Sequence, residues 1–555
     1  MSRLALALLC VAISFGGSPV VALGGAPTPF PGFPDDTHIS GRVDFSSPTV
    51  VDINNDGALD ILLGDNAGCV WAWNLNGALI GGQRWATTNI FNDCSTDDRI
   101  SGPLAVGDVD GNDGGLPEVV AGVRGINTNE GPFTPGRVYV WNNDGVVLSN
   151  WPKSTAWDAP DPNDTPEVRT VALGNLTGDG DLEVVAGTTN HVCNGCSQNL
   201  YAWDAAGILL NINFPTGYID AGIYGAVSTG HLTGDGYAEI ITGRDHRWLH
   251  AYNSSGGFLT GWPQETYATG SSGLYLEFTN NGAAIGDLDF NGVSEIIIAG
   301  KVRDPNQSGS PETNTGVMVF EPDGSRRAGT PGWTSAKIYG APLYNLFPPS
   351  MYPALGDLDR DGKLDIVIAM ADGYIRAFRE NGTLMWQYDF AQGRTLYGSE
   401  PVIGDITGDG YPEIIFGTYS PNQSDGTANT AVSVIGLDRN GVMLSGFPLT
   451  LPNESSFFGV RAGPTLADLD ENGDLELMVG SWGGALYVWD LANAPVSTCQ
   501  ILPWPTARHD NWRSGSYHGP ALVPIGAAPA NIQPSTLHIS LGVSNTVYLP
   551  IISRC

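Results

Sequence analysis

Residues 356–370 read GDLDRDGKLDIVIAM, with Asp357, Asp359, Asp361 and Asp365 inside nine positions and an unbroken apolar run directly after them. Carboxylates this close repel one another, so a cation is expected among them. Oxygen side chains at positions 1, 3, 5 and 9 of a curled loop, with glycine at position 6 for the sharp turn, suit calcium, which takes roughly six to eight hard oxygen ligands in flexible geometry. Magnesium demands a stricter octahedron and keeps more of its waters, so calcium is the expected ion.

The pattern recurs eight times, beginning at Asp52, Asp108, Asn175, His231, Asp287, Asp357, Asp405 and Asp468. Four copies hold the full oxygen set: Asp52/Asn54/Asp56/Asp60, Asp287/Asp289/Asn291/Glu295, Asp357/Asp359/Asp361/Asp365 and Asp468/Asp470/Asn472/Glu476. Asp405/Thr407/Asp409/Glu413 has threonine at position 3 and is expected to bind still, whereas Asn175/Thr177/Asp179/Glu183 loses a charge and is expected to bind more weakly. In His231/Thr233/Asp235/Glu239 an imidazole stands where a carboxylate belongs, which predicts a poor site. Asp108, Asp110 and Asn112 require a distorted loop, because position 9 is Leu116 and the acid Glu118 lies two residues further on. A metal-free Asp-Gly turn would account for one such stretch; the repetition favours several structural calcium ions, at the ~10⁻⁴–10⁻³ M affinities of extracellular modules.

The elements around each loop repeat as well. A short strand such as GPLAV or YPALG precedes it, and a β-branched run such as EIIIAG follows. An alternating aromatic strand comes next (CVWAW, RVYVW, NLYAW, LYVW), then a turn such as NNDG, and a last short strand that often carries Trp-Pro or Phe-Pro. Four strands per unit with turn residues between them make a propeller blade, and proline suits an outer edge that can spare an amide donor. These units resemble FG-GAP or VCBS-type repeats, the calcium-loop blades of integrin α-chain propellers and many secreted bacterial proteins, over roughly residues 30 to 515. The resemblance implies an all-β propeller at 27–518, with its metal loops between the first and second strands of each blade. The repeats fall at about 45–100, 101–166, 167–223, 224–278, 279–347, 348–396, 397–458 and 459–518. Eight loops favour eight blades; seven, the integrin number, is the alternative. WPTARHDNWRSG at 504–515 resembles the closing segment of such bacterial chains. Both PFPGFPDDTHIS near residue 30 and LPWPTA near residue 504 resemble fourth strands, and either would complete the last blade.

Residues 1–22 read as a secretory signal peptide: Arg3, an apolar stretch from Leu4 to Phe15, and small residues Val20 and Ala22 before the cleavage point. That stretch is short of the ~20 residues a membrane span needs, and no later segment could span. Six cysteines then remain, an even number that reads as disulfides in an exported chain. CNGC offers a local Cys193–Cys196 bridge, leaving Cys69–Cys94 and Cys499–Cys555 as the other pairs; zinc on His191, Cys193 and Cys196 is the rival, lacking a fourth ligand. A net charge of −33 excludes nucleic acid and anionic membranes as partners. Residues 519–555 shift to a Pro/Ala-rich tail.

No G-x-S-x-G, H-E-x-x-H or Walker loop is present. His246 beside Asp245 reads as a hairpin turn before an acid–base group, and His509-Asp510 as structural. Trp71, Trp73, Trp141, Trp203 and Trp489 alternate along third strands and are expected between blades, whereas Trp151, Trp262 and Trp504 are candidates for stacking on sugar rings. The resemblance implies an extracellular binding or adhesion module for a polysaccharide or a surface or matrix protein. The alternatives are a polysaccharide lyase or hydrolase, which a cluster of His, Arg, Tyr or Lys at the central mouth would support, and a structural envelope component.

Overall fold

The computed structural model describes residues 25–524 except 89–93, 95–98, 112–115, 125–135, 156–166, 190–198, 212, 215, 217–221, 245–246, 269–271, 279–280, 305–313, 330, 341–349, 421–431, 452–458, 492–498 and 518–520. The signal segment, His191, Cys193, Cys196, His246, Asn112 and Cys555 lie outside the described residues.

Each aspartate loop joins two short antiparallel strands, and the β-branched run after it is buried on both faces, so it sits inside a sheet rather than at an edge. Eight such sheets form a ring, an eight-bladed β-propeller. Blade 1 holds Thr49–Val51, Asp60–Gly64, Cys69–Trp73 and Ala86–Thr87, and blade 2 holds Ala105–Gly107, Glu118–Val123, Arg137–Trp141 and Lys153–Ser154. In blade 3 the strands are Val168–Gly174, Glu183–Thr188 and Leu200–Trp203, with the fourth edge marked by a bridge between Leu200 and Thr216. Blade 4 runs Val227–Gly230, Glu239–Gly243, Trp248–Tyr252 and Gln264–Glu265. Blade 5 is centred on the long pair Glu295–Arg303 and Asn314–Phe320, with Ala284–Gly286 innermost. Ala354–Gly356, Asp365–Ala369, Tyr374–Phe378 and Leu384–Asp389 make blade 6. In blade 7, Val402–Gly404 and Val434–Leu437 flank Glu413–Tyr419.

Blade 8 settles how the ring closes. Thr465–Ala467, Glu476–Gly480 and Leu486–Asp490 come from the far end of the chain, and the fourth strand is Thr28–Pro29 from the beginning, antiparallel to Leu486–Asp490. Phe30 and Asp35 extend the pairing through their amides to Val488 and Leu486. The N-terminal candidate therefore occupies the edge.

The rival segment does something else. Residues 503–517 pass into the ring's axis and return. The innermost strand of each blade presents unpaired backbone groups to that axis, and buried groups of this kind need partners. The insert supplies them: Ile403 and Trp504 bond mutually, Leu466 donates to Pro505, and Val106, Leu173, Thr229 and Ile285 donate to Asn511, Trp512, Ser514 and Gly515. Asn511 Nδ2 reaches Val50 of blade 1. In blade 6, Gly356 lets Pro503 approach so closely that a Cβ there would lie 3.1 Å from the proline Cβ. The insert enters and leaves at the end of the ring that carries the aspartate loops, since Pro503, Trp512 and Tyr517 pack on Gly356, Gly107 and Gly286, each of which precedes a loop. Its apex, around Arg508, reaches the opposite end, where first strands begin. There Arg508 Nη2 donates to Ser228 and Ala283, and its amide to Glu400.

The core lies between blades, in successive clusters of the second- and third-strand side chains. Trp73, Trp141, Trp203, Trp71 and Trp489 belong to it, as expected. Cys69 and Cys94 form a disulfide with Cα atoms 5.6 Å apart, tying the third strand of blade 1 to the segment after its fourth.

Candidate metal loops and the axial mouth

All eight loops share one hydrogen bond. The final acid is the first residue of the second strand, and one of its carboxylate oxygens accepts the amide of loop position 2. The pairs are Asp60–Ile53, Glu118–Val109, Glu183–Leu176, Glu239–Leu232, Glu295–Leu288, Asp365–Leu358, Glu413–Ile406 and Glu476–Leu469, between 2.5 and 3.2 Å. The first acid is held in turn by the amide of the position-6 glycine: Gly57 to Asp52, Gly292 to Asp287, Gly362 to Asp357, Gly410 to Asp405 and Gly473 to Asp468. The backbone thus aims these carboxylates inward before any ion is considered.

What becomes of the last acid's second oxygen sorts the loops. In blades 3, 4 and 7 the position-3 threonine donates to it: Thr177 to Glu183 at 3.0 Å, Thr233 to Glu239 at 2.7 Å and Thr407 to Glu413 at 3.2 Å. In blades 1, 6 and 8 it is buried with no partner, at Asp60 Oδ1, Asp365 Oδ1 and Glu476 Oε1. In blade 5 the guanidinium of Arg327 holds Glu295 and also reaches Asp289 at 2.7 Å. Arg379 does the same for Asp359 and Asp361 in blade 6, at 2.8 Å to Asp361. Part of the compensation expected from an ion is therefore supplied by the chain's own arginines, each from the hairpin after a third strand. Spacing within a loop gives no sign of these partners, because they come from another hairpin of the same blade.

The backbone divides the loops along the same line. Position 4 is left-handed in every blade. It is glycine in blades 2, 3, 4 and 7, but Asn55, Phe290, Arg360 and Glu471 in blades 1, 5, 6 and 8, with φ of 54° to 59°. A side chain there costs about 1–2 kcal/mol. The strained loops are the four with the full oxygen set.

Orphaned buried oxygens at Asp289, Asp359, Asp405 and Asp468, with those of the final acids, fit a hard divalent cation. Burial, reinforced by neighbouring carboxylates, pushes the metal-free pKa of Asp60 and Glu118 up to about 7, Asp365 to about 8 and Glu476 to about 9. Burial raises Glu295 to about 8 despite Arg327. Among the described residues, ligand atoms converge within 4.8 Å in Asp108/Asp110/Glu118, Asp287/Asp289/Glu295, Asp357/Asp359/Asp361 and Asp468/Asp470/Glu476. A fifth group, Asp474/Glu476/Asp490, shares Glu476 and was not singled out by the spacing.

The position-5 side chains make a turn of their own. Asp56, Asp179, Asp235, Asn291, Asp409 and Asn472 are all exposed. Each turns its Oδ1 to the amide two residues on, at Ala58, Asp181, Tyr237, Val293, Tyr411 and Asp474, between 2.8 and 3.1 Å. Asn54, at position 3 of blade 1, is exposed in the same way and accepts the Asp56 amide at 2.9 Å. Each of these seven residues makes an Asx turn through its Oδ1. None of the aspartates among them belongs to a convergent acidic group of the described residues. The cause is local: a short Asx side chain reaches the amide two residues along its own chain. Asp361 makes the same turn to Lys363 yet does join the blade 6 group. His231 Nδ1 lies 3.0 Å from the carbonyl of Tyr237.

The tryptophans proposed for stacking on sugars are buried: Trp151 and Trp262 are 7% exposed and Trp504 0%. Trp151, Trp262, Trp333 and Trp386 each donate Nε1 to a turn carbonyl of the following blade, at Ala205, Pro322, Glu380 and Arg439. They latch neighbouring blades, and Trp504 fills the axis. At the axial end opposite the loops, Tyr352, Glu400, Arg461 and Arg508 converge on a small cavity floored by the insert. No helix among the described residues is long and apolar enough to cross a membrane.

Residues 357–416, the loop of blade 6 through the second strand of blade 7, match the family model of the FG-GAP-like repeat. No curated protein matches the chain. Among solved structures the chain is similar to the V. cholerae biofilm matrix protein Bap1, at 13% identity over 85% of this chain and 92% of that one, with a TM-score of 0.49. BamB from Moraxella catarrhalis is 14% identical over 82% and 99%, with a TM-score of 0.43. The exotype rhamnogalacturonan lyase YesX is 13% identical over 88% and 98%, with a TM-score of 0.39.

Proposed function

We propose that this FG-GAP/VCBS-type repeat β-propeller is an exported recognition module, stapled by calcium, that binds an extracellular polysaccharide or a surface or matrix protein. The observation that carries the reading is the orphaned buried carboxylate oxygen recurring at one place in blades 1, 6 and 8. Such oxygens are satisfied where calcium is plentiful, which is outside the cell, and the Cys69–Cys94 bridge suits the same oxidising surroundings. The ions staple first to second strands and leave the ring's two ends as rigid surfaces. Convergence of Tyr352, Glu400, Arg461 and Arg508 at the axial mouth favours a second reading, a saccharide lyase.

The test is retention of the mature protein on immobilised polysaccharides and matrix proteins, in calcium and in chelator. Calcium-dependent retention with the ligand left intact is expected. Shortening of a bound glycan would place the lyase first, and retention on nothing would withdraw the recognition reading.

A further inference from the structure

The axis ends in a cup. At the end opposite the aspartate loops, the insert stops short and leaves a cavity of about 20 Å³, with Ala507 and Arg508 as its floor and Ser47, Tyr352, Glu400 and Arg461 among its walls. That volume admits a group of one or two water-sized atoms, not a sugar ring.

Two buried arginines of the insert behave differently. Arg513, 1% exposed, spends all its nitrogens on structure: Nε on Leu104, Nη1 on Thr506 and Ala507, Nη2 on Thr49. Arg508, 2% exposed, bonds Ser228 and Ala283 through Nη2, while its Nε and Nη1 are buried with no partner. Glu400 shares the Arg508 charge through space, but its Oε1 accepts the Arg508 backbone amide at 2.6 Å and neither idle nitrogen bonds it. Ser47 Oγ and Arg461 Nε, on the walls, are likewise without partners. A buried cation with two idle donors is costly unless something anionic meets it.

The surroundings match. The chain has 58 acids and 25 lysines and arginines, yet Arg99, Arg124, Arg169 and Arg461 all act on Asp44 beside this mouth. With Arg508 they number five, against Asp44, Glu167 and Glu400. Aromatic rings line the same place: Arg508 lies 5.1 Å from the Tyr352 ring, and Arg461 lies 4.2 Å from Phe45 and 4.6 Å from Trp482. A neutral hydroxyl would gain no charge-assisted bond from the guanidinium, and a metal ion would be repelled by it. A carboxylate puts its two oxygens into that volume, with its carbon at the mouth, and meets the charge through hydrogen bonds roughly twice as strong as neutral ones.

We propose that this cup is a binding site for the carboxylate of an acidic saccharide, a uronate, with Arg508 as the receiving cation and the sugar ring held outside against the aromatic rim. The proposal rests on the recognition reading and names the ligand class for it.

The experiment is calorimetric titration of the calcium-loaded protein with galacturonate and with galactose, at about 0.15 M ionic strength so that long-range screening is equal. Galacturonate is expected to bind at least roughly tenfold more tightly, about 1.4 kcal/mol. Arg508→Met should abolish the preference. Because that variant also loses the Ser228 and Ala283 bonds, Ser47→Val, which fills the cup and keeps every charge, should do the same with unchanged melting. Equal binding of the two sugars, or an undiminished preference in Ser47→Val, overturns the site. Acetate or sulfate competing as well as galacturonate overturns the saccharide assignment and leaves a small-anion site. Retention on neutral glycans that Ser47→Val does not change overturns this site alone and leaves the recognition reading standing.

Discussion

At the scale of single residues, the loops turn on whether the last buried carboxylate has company. Glu476 is fully buried with Oε1 unpartnered, so Glu476→Gln should have different effects in two conditions. In chelator burial pushes the Glu476 carboxyl up to about 9, so it is already neutral below that pH, and an amide oxygen can still accept from Leu469, so melting should hold. In calcium it removes a ligand, and melting should fall by an amount equivalent to about 1–3 kcal/mol. Thermal melts of both proteins in both buffers decide it; parallel shifts would show that the oxygen meets no ion. Arg327→Gln tests the built-in cation of blade 5. It leaves Glu295, 0% exposed, without its partner, and breaking a buried pair in this way costs about 3–5 kcal/mol. Urea unfolding in chelator above about pH 8, where Glu295 is ionised, should show that loss, with calcium restoring part of it. If calcium restores nothing, the guanidinium and an ion do not share the site.

At the scale of elements, the axial insert acts as a pin for the ring. Its Trp504 is fully buried against the core that joins blades 5, 6 and 7, so Trp504→Ala should cost about 3–5 kcal/mol in urea unfolding. The loss belongs to the whole ring, because the insert bonds to the innermost strands of seven blades and packs on the eighth. Trp262→Phe asks less: it keeps the ring in the core and removes the Nε1 bond to Pro322. About 1 kcal/mol is expected. A loss as large as that of Trp504→Ala would mean that the blade latch, rather than the pin, holds the ring.

For the whole molecule, the acidic loops make stability depend on pH and cation together. In the metal-free chain Asp60 and Glu118 are pushed to about 7, Glu295 and Asp365 to about 8, and Glu476 to about 9. These folded values lie above the ordinary carboxylate range near about 4. Between the two, the folded chain holds protons that the unfolded chain has released. The contribution is therefore fully present below about pH 4 and is lost as pH rises through the folded values. In chelator, the melting temperature should fall from about pH 5 to about pH 8.5. Calcium, taking the protons' place, should flatten that fall, so its benefit grows with pH. A flat chelator curve would show the carboxylates compensated without an ion.

The eight loops, their order along the chain, the four-strand unit and the buried third-strand tryptophans were legible in the sequence, because a loop's spacing and a strand's alternation are local properties of neighbouring residues. Spacing did not show the local turns: Asp56, Asp179, Asp235 and Asp409, at the pattern's position 5, each accept an amide two residues on. What also needed the tertiary structure was every partner far away in sequence. PFPGFPDDTHIS near residue 30 and LPWPTA near residue 504 both resemble fourth strands, and only the free edges of the closed ring assign the first stretch to blade 8 and the second to the axis. Arg327 and Arg379 meet their carboxylates across hairpins, and the Trp-Pro rings turn inward because each finds a carbonyl on the next blade. The axial cup joins side chains from the beginning, middle and end of the chain, from Ser47 to Arg508. Its charge and volume exist only once the ring has closed around the insert.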